Sequence, residues 1–250
     1  MASDIGQQQW QQAQDWERSF WDRYIKNQNS IRGLAFLKTA IKRILRDSPG
    51  DDSNYWWEEH FDGYRFVPAN LANVVEFGCG PFTNLRRILR GRTARCVVAS
   101  DPLARHYTAY KGHYLAEKWR SGDWLIDDHP LEECVFADGL FDLAVCINVL
   151  DHVRSVDLCL KNLIRVVRPG GLLILGQDLT NDDDLKATEE QRLIAKSDVG
   201  HPHKFTTQEC LLPYLHAFKP VLQRVLPRQE GRLPSWHCGT FLFAGEKVPQ

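Results

Sequence analysis

From residue 71 onward the chain alternates short, continuously apolar runs with amphipathic stretches. The runs at 73–77, 95–100, 123–126, 142–147, 171–176, 221–227 and 239–245 read as strands, and the stretches at 81–91, 103–120, 155–167 and 206–216 as helices. Strands that are apolar on both sides must be covered on both sides. The expectation is therefore an α/β fold around a mostly parallel sheet of seven strands. No helix separates the last two runs, only a loop rich in Pro, Gly and Arg, so they are expected to form an antiparallel hairpin that closes the sheet.

The first seventy residues follow a different pattern. Residues 7–14 are rich in glutamine, and Trp16, Phe20 and Tyr24 then recur every four residues with Trp21 beside them, one aromatic face of an amphipathic helix. Leu34, Leu37, Ile41, Ile44 and Leu45 give a second helix; residues 48–53 form a turn cluster, and Tyr55-Trp56-Trp57 precedes the first strand. The domain reading is a helical cap over 1–70, packed on an α/β domain over 71–250.

With 31 basic and 32 acidic residues the net charge is −1, which argues against a nucleic-acid partner, since phosphate binding needs clustered excess Lys and Arg. The seven cysteines contain no C-x-x-C pair, so neither a disulfide scaffold nor a structural zinc site fits. There is no apolar N-terminal segment and no run approaching ~18 apolar residues, so a cytoplasmic protein with no membrane partner is expected.

The first strand ends Glu76-Phe77-Gly78-Cys79-Gly80-Pro81. In a parallel α/β sheet, ligands bind at the carboxyl ends of the strands, where strand order reverses. Gly78 and Gly80 let a ligand approach the backbone closely, and Pro81 suits the first turn of a helix that would offer unpaired N–H groups. Thr83 stands where a dinucleotide fingerprint has its third glycine, and no G-K-[ST] follows, so a pyrophosphate cradle is absent. Glu76 would repel a pyrophosphate but suits a cationic ligand. Asp101, at the tip of the second strand, stands where an acid can accept bonds from ribose hydroxyls. Together these point to a nucleoside bearing an amino-acid tail.

On these residues the chain resembles the class I S-adenosylmethionine-dependent methyltransferases, in the small-molecule, type 11-like manner. Glu76-Phe77-Gly78-Cys79-Gly80 is similar to the family's E-x-G-x-G motif and Asp101 to the acid ending its second strand. Residues 138–145 resemble its D-G-x-F-D-L-V run, 148–153 its V-L-E-H-V segment and 167–173 its L-R-P-G-G-x-L turn. The resemblance implies a Rossmann-like sheet and S-adenosyl-L-methionine as cofactor. It also implies that Glu76, Gly78, Cys79 and Gly80 contact the methionine part and ribose, that Asp101 holds the ribose diol with Pro102 beside the adenine, and that Asn148 and Val149 flank the cofactor. Leu131 and Glu132 fall where the third-strand loop meets adenine, although His129-Pro130-Leu131-Glu132-Glu133 departs from the usual acid and small-residue pair.

Methyl transfer from a sulfonium is an in-line displacement with a neutral leaving group, so the protein mainly aligns the reactants. A base is needed only for an acceptor that begins protonated. His201 and His203, in a Gly/Pro loop resembling the family's H-x-x-x-F-T segment, and His152 after the fourth strand are the candidates, each weighed against a structural role. Asp178 and Asn181 could sit in an oxygen cage for Mg²⁺, but their run also reads as a capped polar loop, and no metal is assigned. The N-terminal aromatics either pack or cover an apolar acceptor. The expected activity is methylation of O or N of a small molecule, with room for a homodimer. The alternatives are a catalytically silent cofactor-binding or regulatory subunit and an RNA or protein methyltransferase.

Overall fold

The computed structural model describes residues 4–30, 52–180, 201–232 and 239–249. The second helix expected over 34–45, and Asn181, lie outside the described residues. Seven strands form one sheet: β1 (Asn70–Phe77), β2 (Thr93–Ser100), β3 (Leu125–Asp127), β4 (Phe141–Ile147), β5 (Val167–Leu179), β6 (Phe218–Pro227) and β7 (Gly239–Lys247). Their order is β3-β2-β1-β4-β5-β7-β6. β1 to β5 run parallel, while β7 lies antiparallel between β5 and β6. Each strand recognised in the sequence is present. The chain builds outward from β1 to β3, then restarts on the other side of β1 with β4, so the order reverses between β1 and β4 and opens a crevice at their carboxyl ends.

Helices flank the sheet: α1 (Gln7–Ser30), α2 (Asp52–His60), α3 (Leu85–Ile88), α4 (Ala104–Tyr107), α5 (Tyr114–Arg120), α6 (Val156–Val166) and α7 (Leu212–Leu215). Several are shorter than their sequence patterns suggest. The stretch 103–120 breaks into α4 and α5 at Gly112, whose φ of 77° belongs to a left-handed turn. The stretch 206–216 becomes a 3₁₀ turn (Gln208–Cys210) and the single turn of α7, which carries Pro213 at its start. Tyr55-Trp56-Trp57, ahead of the first strand, sits inside α2. α6 behaves as its pattern requires: the Ser155 side chain caps it, accepting from Leu158 N, and Val156, Cys159, Leu160, Leu163 and Val166 make one buried face.

Both faces of the sheet are buried. Val74, Val97, Leu143, Ile174 and Leu242 pack under Trp57, Phe61, Tyr64 and Tyr107. Their strand neighbours Val75, Val98, Ala144, Leu173 and Phe243 pack against the α6 face. This two-sided burial is the reason for the continuous apolar runs. Among the described residues no helix is long and apolar enough to cross a membrane.

Asp142, the second acid of the D-G-x-F-D run, is a brace between strands. Its carboxylate accepts from the amides of Ala72 (2.9 Å) and Asn73 (2.6 Å) in β1 and from Arg168 Nε (2.7 Å). Asp142→Ala leaves two strand amides without their acceptor. It is expected to cost about 2–4 kcal/mol in urea denaturation while leaving affinity for S-adenosylhomocysteine unchanged.

Candidate active site

The carboxyl ends of β1, β2, β4 and β5 open into a cavity of about 850 Å³. At its floor, β1 runs into Gly78, where φ is 66° and an added Cβ would overlap the Val149 side chain. Only glycine fits there, so the turn after β1 presses against the segment after β4. Cys79 N donates to Ser100 O (3.2 Å) and Gly80 N to Asp101 Oδ2 (3.1 Å), which ties the glycine turn to the tip of β2. Asp101 Oδ1 accepts from Leu103 N (2.8 Å), and burial pushes its carboxyl up to about 6 against these two amides. Gly78, Cys79, Gly80, Asp101, Pro102, Leu131, Glu132, Asn148 and Val149 all border the cavity.

Glu76 does not. Its side chain is fully buried and turned away from the cavity, accepting from Thr83 Oγ1, Asn84 N (3.0 Å), Asn84 Nδ2 (2.9 Å) and Leu85 N (3.4 Å). Burial pushes this carboxyl up to about 7, although each of those donors favours the ionised form. The motif's acid therefore shapes the turn from behind. α3 begins only at Leu85, so Pro81 lies before it, and the Asn84 and Leu85 amides at its start are taken by Glu76 rather than offered to a ligand.

The third-strand loop also differs from expectation. β3 ends at Asp127, which accepts from Ser100 Oγ (2.7 Å) and stands 2.7 Å from His129 Nδ1. That contact raises the His129 pKa, and His129 borders the cavity. Glu132 is spent elsewhere: its Oε1 accepts from Arg154 N and from Ser155 N (3.0 Å) at the start of α6. The acid at the strand tip is Asp127, four residues before the expected Leu131.

The three histidine candidates separate into two roles. His203 is buried; its Nε2 donates to Val153 O (2.8 Å) and its backbone N to Asp151 O (3.2 Å), a brace between two loops. His152 and His201 face each other across the cavity wall, ring centroids 4.4 Å apart, with Trp16 of α1 5.8 Å beyond His201. Asp151 lies beside them, and although burial opposes its ionisation, His152 and His201 hold its carboxyl below the usual carboxylate range.

Two further walls close the cavity. In one, Asp178 at the end of β5 accepts from Arg232 Nε (3.0 Å) and Thr240 Oγ1 (2.9 Å), so protein groups occupy the oxygens that a Mg²⁺ cage would need. Asn148, held left-handed at φ 56°, joins this network: with its side-chain amide turned over so that donor faces acceptor, its nitrogen donates to Asp178 Oδ2 (3.1 Å) and its oxygen accepts from Arg232 Nη2 (3.2 Å). The Arg232 guanidinium lies over the Trp57 ring at 5.8 Å, and Trp57 packs so closely on Gly176 that a Cβ there would meet the ring at 2.8 Å. The other wall is α1, which lays Trp10, Trp16, Phe20, Trp21 and Tyr24 over the opening. It is fastened at one end by Asp22 to His106 Nε2 (3.0 Å) and Tyr110 Oη (2.7 Å), and at the other by Gln7 to Arg154 Nη1 (2.7 Å).

A family model described as a methyltransferase domain matches residues 31–217, well over half of the chain. The chain belongs to this methyltransferase family. That agrees with the resemblance to class I S-adenosylmethionine-dependent enzymes carried by its motifs. Among curated proteins, a hybrid PKS-NRPS synthetase of Talaromyces variabilis is 38% identical over 63 residues, 25% of this methyltransferase; the match covers 2% of that protein, so the chain spans a small fraction of its length. Two solved structures share the fold. The 1,6-didemethyltoxoflavin N1-methyltransferase of Burkholderia thailandensis, bound to 1,6-didemethyltoxoflavin and S-adenosylhomocysteine, has a TM-score of 0.53 at 16% identity over 88% of this chain and 92% of its own. The N-methyltransferase NodS of Bradyrhizobium japonicum, bound to S-adenosylhomocysteine, has 0.53 at 15% identity over 78% and 85%.

Two pH effects are expected of this methyltransferase. Glu76, raised to about 7 in the fold, favours the native state when protonated; that contribution is complete below its ordinary value of 4.5 and is lost as pH rises through about 7. Melting temperature across this range should therefore fall in the wild type relative to Glu76→Gln. Asp101 is raised to about 6, and a carboxylate accepts hydroxyl hydrogen bonds more strongly than the neutral acid does. Calorimetric affinity for S-adenosylhomocysteine should be level above about 6 and weaken by up to tenfold per pH unit below it. Asp101→Asn should bind more weakly and lose this dependence.

Proposed function

We propose that the protein transfers the methyl group of S-adenosyl-L-methionine to an oxygen or nitrogen of a small, largely apolar acceptor. The observation that carries this reading is one cavity bordered both by the glycine turn with Asp101 and by the aromatic face of α1. The first half suits a nucleoside with a cationic sulfur; the second suits a flat or apolar acceptor.

In this reading the ribose diol donates to Asp101, the main chain from Gly78 to Gly80 passes along the methionine part, and Asn148 and Val149 flank the sulfonium. His129, at the tip of β3, is the added candidate at the adenine end. The acceptor lies between α1 and the loops carrying His152 and His201, whose rings provide the polar contact for its hydroxyl or amine. α1 excludes water above it, which strengthens every electrostatic contact beneath. The reaction is an in-line displacement: the acceptor lone pair forms the new bond to carbon, the C–S bond breaks, and its electrons stay on sulfur as the neutral thioether. Alignment of the three centres supplies most of the rate.

The small-molecule N-methyltransferase with its acceptor bound, among the structures of this fold, supports an acceptor of this size. The net charge of −1 supports a small molecule over RNA.

Incubation with methyl-labelled S-adenosylmethionine and a metabolite extract is expected to label low-molecular-weight products and release S-adenosylhomocysteine. Asp101→Ala should cut this turnover at least tenfold through a raised cofactor KM. Labelled RNA or protein with unlabelled metabolites would replace the reading, and cofactor binding without any transfer would leave a silent regulatory subunit.

A further inference from the structure

Asp151, His152 and His201 converge on one wall of the cavity. One carboxylate oxygen and one ring nitrogen from each histidine all lie within 4.8 Å of one another. Among the described residues, no other such group of three was found. In a tetrahedral zinc site, ligand atoms at about 2.1 Å from the ion stand about 3.4 Å apart. Asp151 Oδ1 and His152 Nε2 are already at 3.7 Å, so small side-chain rotations close the triangle.

A second observation concerns Asp151 itself. Its side chain is only 10% exposed, yet Oδ1, the oxygen facing His152, has no hydrogen-bond partner. A buried carboxylate oxygen left in this way is costly unless something positively charged meets it. The surroundings also fit a bound ion. His152 turns Nε2 toward Asp151, and its Nδ1 lies 3.9 Å from Glu17 Oε2 of α1, a carboxylate one small rotation away from orienting a ligating imidazole from behind. His203 clamps the loop from Asp151 to Val153 against the segment carrying His201 through its two bonds to Asp151 O and Val153 O.

We propose that Asp151, His152 and His201 bind a divalent transition-metal ion in the acceptor half of the cavity. Two imidazoles with one carboxylate select zinc, iron(II), cobalt or manganese over magnesium and calcium, which prefer all-oxygen sets. Three protein ligands leave coordination positions open, and the cavity is where they point. Resting on the methyltransferase reading above, this narrows the acceptor to a molecule that offers an oxygen donor, such as a phenol or enol. The coordinated hydroxyl loses its proton to water, its oxygen takes the methyl carbon, and the C–S electrons leave with sulfur.

The test uses the full-length, tag-free protein stripped with a chelator and titrated separately with zinc, cobalt and manganese chlorides by calorimetry, with bound metal counted after gel filtration. One equivalent should bind with micromolar affinity or better. Asp151→Asn and His201→Ala should each weaken it by more than about 100-fold, while both retain wild-type affinity for S-adenosylhomocysteine. Cobalt should give the intense visible absorption of a low-coordinate site in the wild type only. Binding well below one equivalent, or unchanged in both variants, overturns the metal site and leaves the three residues as a metal-free polar cluster. Failure to bind S-adenosylhomocysteine would instead strike the methyltransferase reading, whatever the metal result.

Discussion

The turn at the heart of the cavity is held by a carboxylate that never reaches it. Glu76 ends β1 in the middle of the sheet, where an isolated charge or an unbonded carboxyl would be expensive. It is tolerated because Thr83, Asn84 and Leu85 surround it with donors, so the chain leaving the glycine turn must fold back onto it. With that limb fixed, the near limb presents Gly80 N to Asp101, and Gly78 can lie against Val149. The distance between the tips of β1, β2 and β4 is set by these three contacts. Without Glu76, four donors would compete for water and the floor of the cavity would lose its shape.

The opposite wall depends on a different kind of force. α1 is rich in glutamine over its first half and buries Trp10, Ala13 and Ile25, while its other aromatics stack largely on one another, Trp16 on Phe20 at 5.5 Å and Phe20 on Tyr24 at 6.2 Å. It gains its place by capping the glycine turn's neighbour: Trp21 and Tyr24 both pack on Phe82, at 5.6 and 6.1 Å. Phe82 in turn belongs to the limb anchored through Glu76. The helix that covers the opening is thus seated on the same turn that forms the floor of the cavity, and half-exposed rings with a few polar fastenings make it the wall most easily lifted.

The strands were legible because two-sided burial forces unbroken apolar runs, and Val74, Val97, Leu143 and Ile174 sit where that rule puts them. Helix lengths were less so: an amphipathic pattern continues through Gly112, but the backbone does not. In the site, spacing revealed that Glu76 and Asp101 stand near the glycines, yet it carries no information on which way a carboxylate turns; one faces the cavity and the other backs it. The acid at the tip of β3 was hard to place because that strand is three residues long, too short for a pattern: the tip falls at Asp127, while Glu132 borders the cavity with its Oε1 bonded to the start of α6. Trp57 and Arg232 carried no signal at all. They meet over Gly176 and Asp178 from distant parts of the chain, and only the sheet order brings them together.

The charge around the cavity gives the reaction a direction. Glu17, Asp101, Asp151 and Asp178 border it, while Arg232 is paired with Asp178. A sulfonium entering this space is attracted, and with water kept out by α1 the attraction is stronger than at a surface. Transfer removes that positive charge from the sulfur, so the product thioether loses the attraction that brought the cofactor in. The same carboxylates therefore favour the methyl donor over the spent one, and the gain on binding becomes a drive for exchange after each turnover.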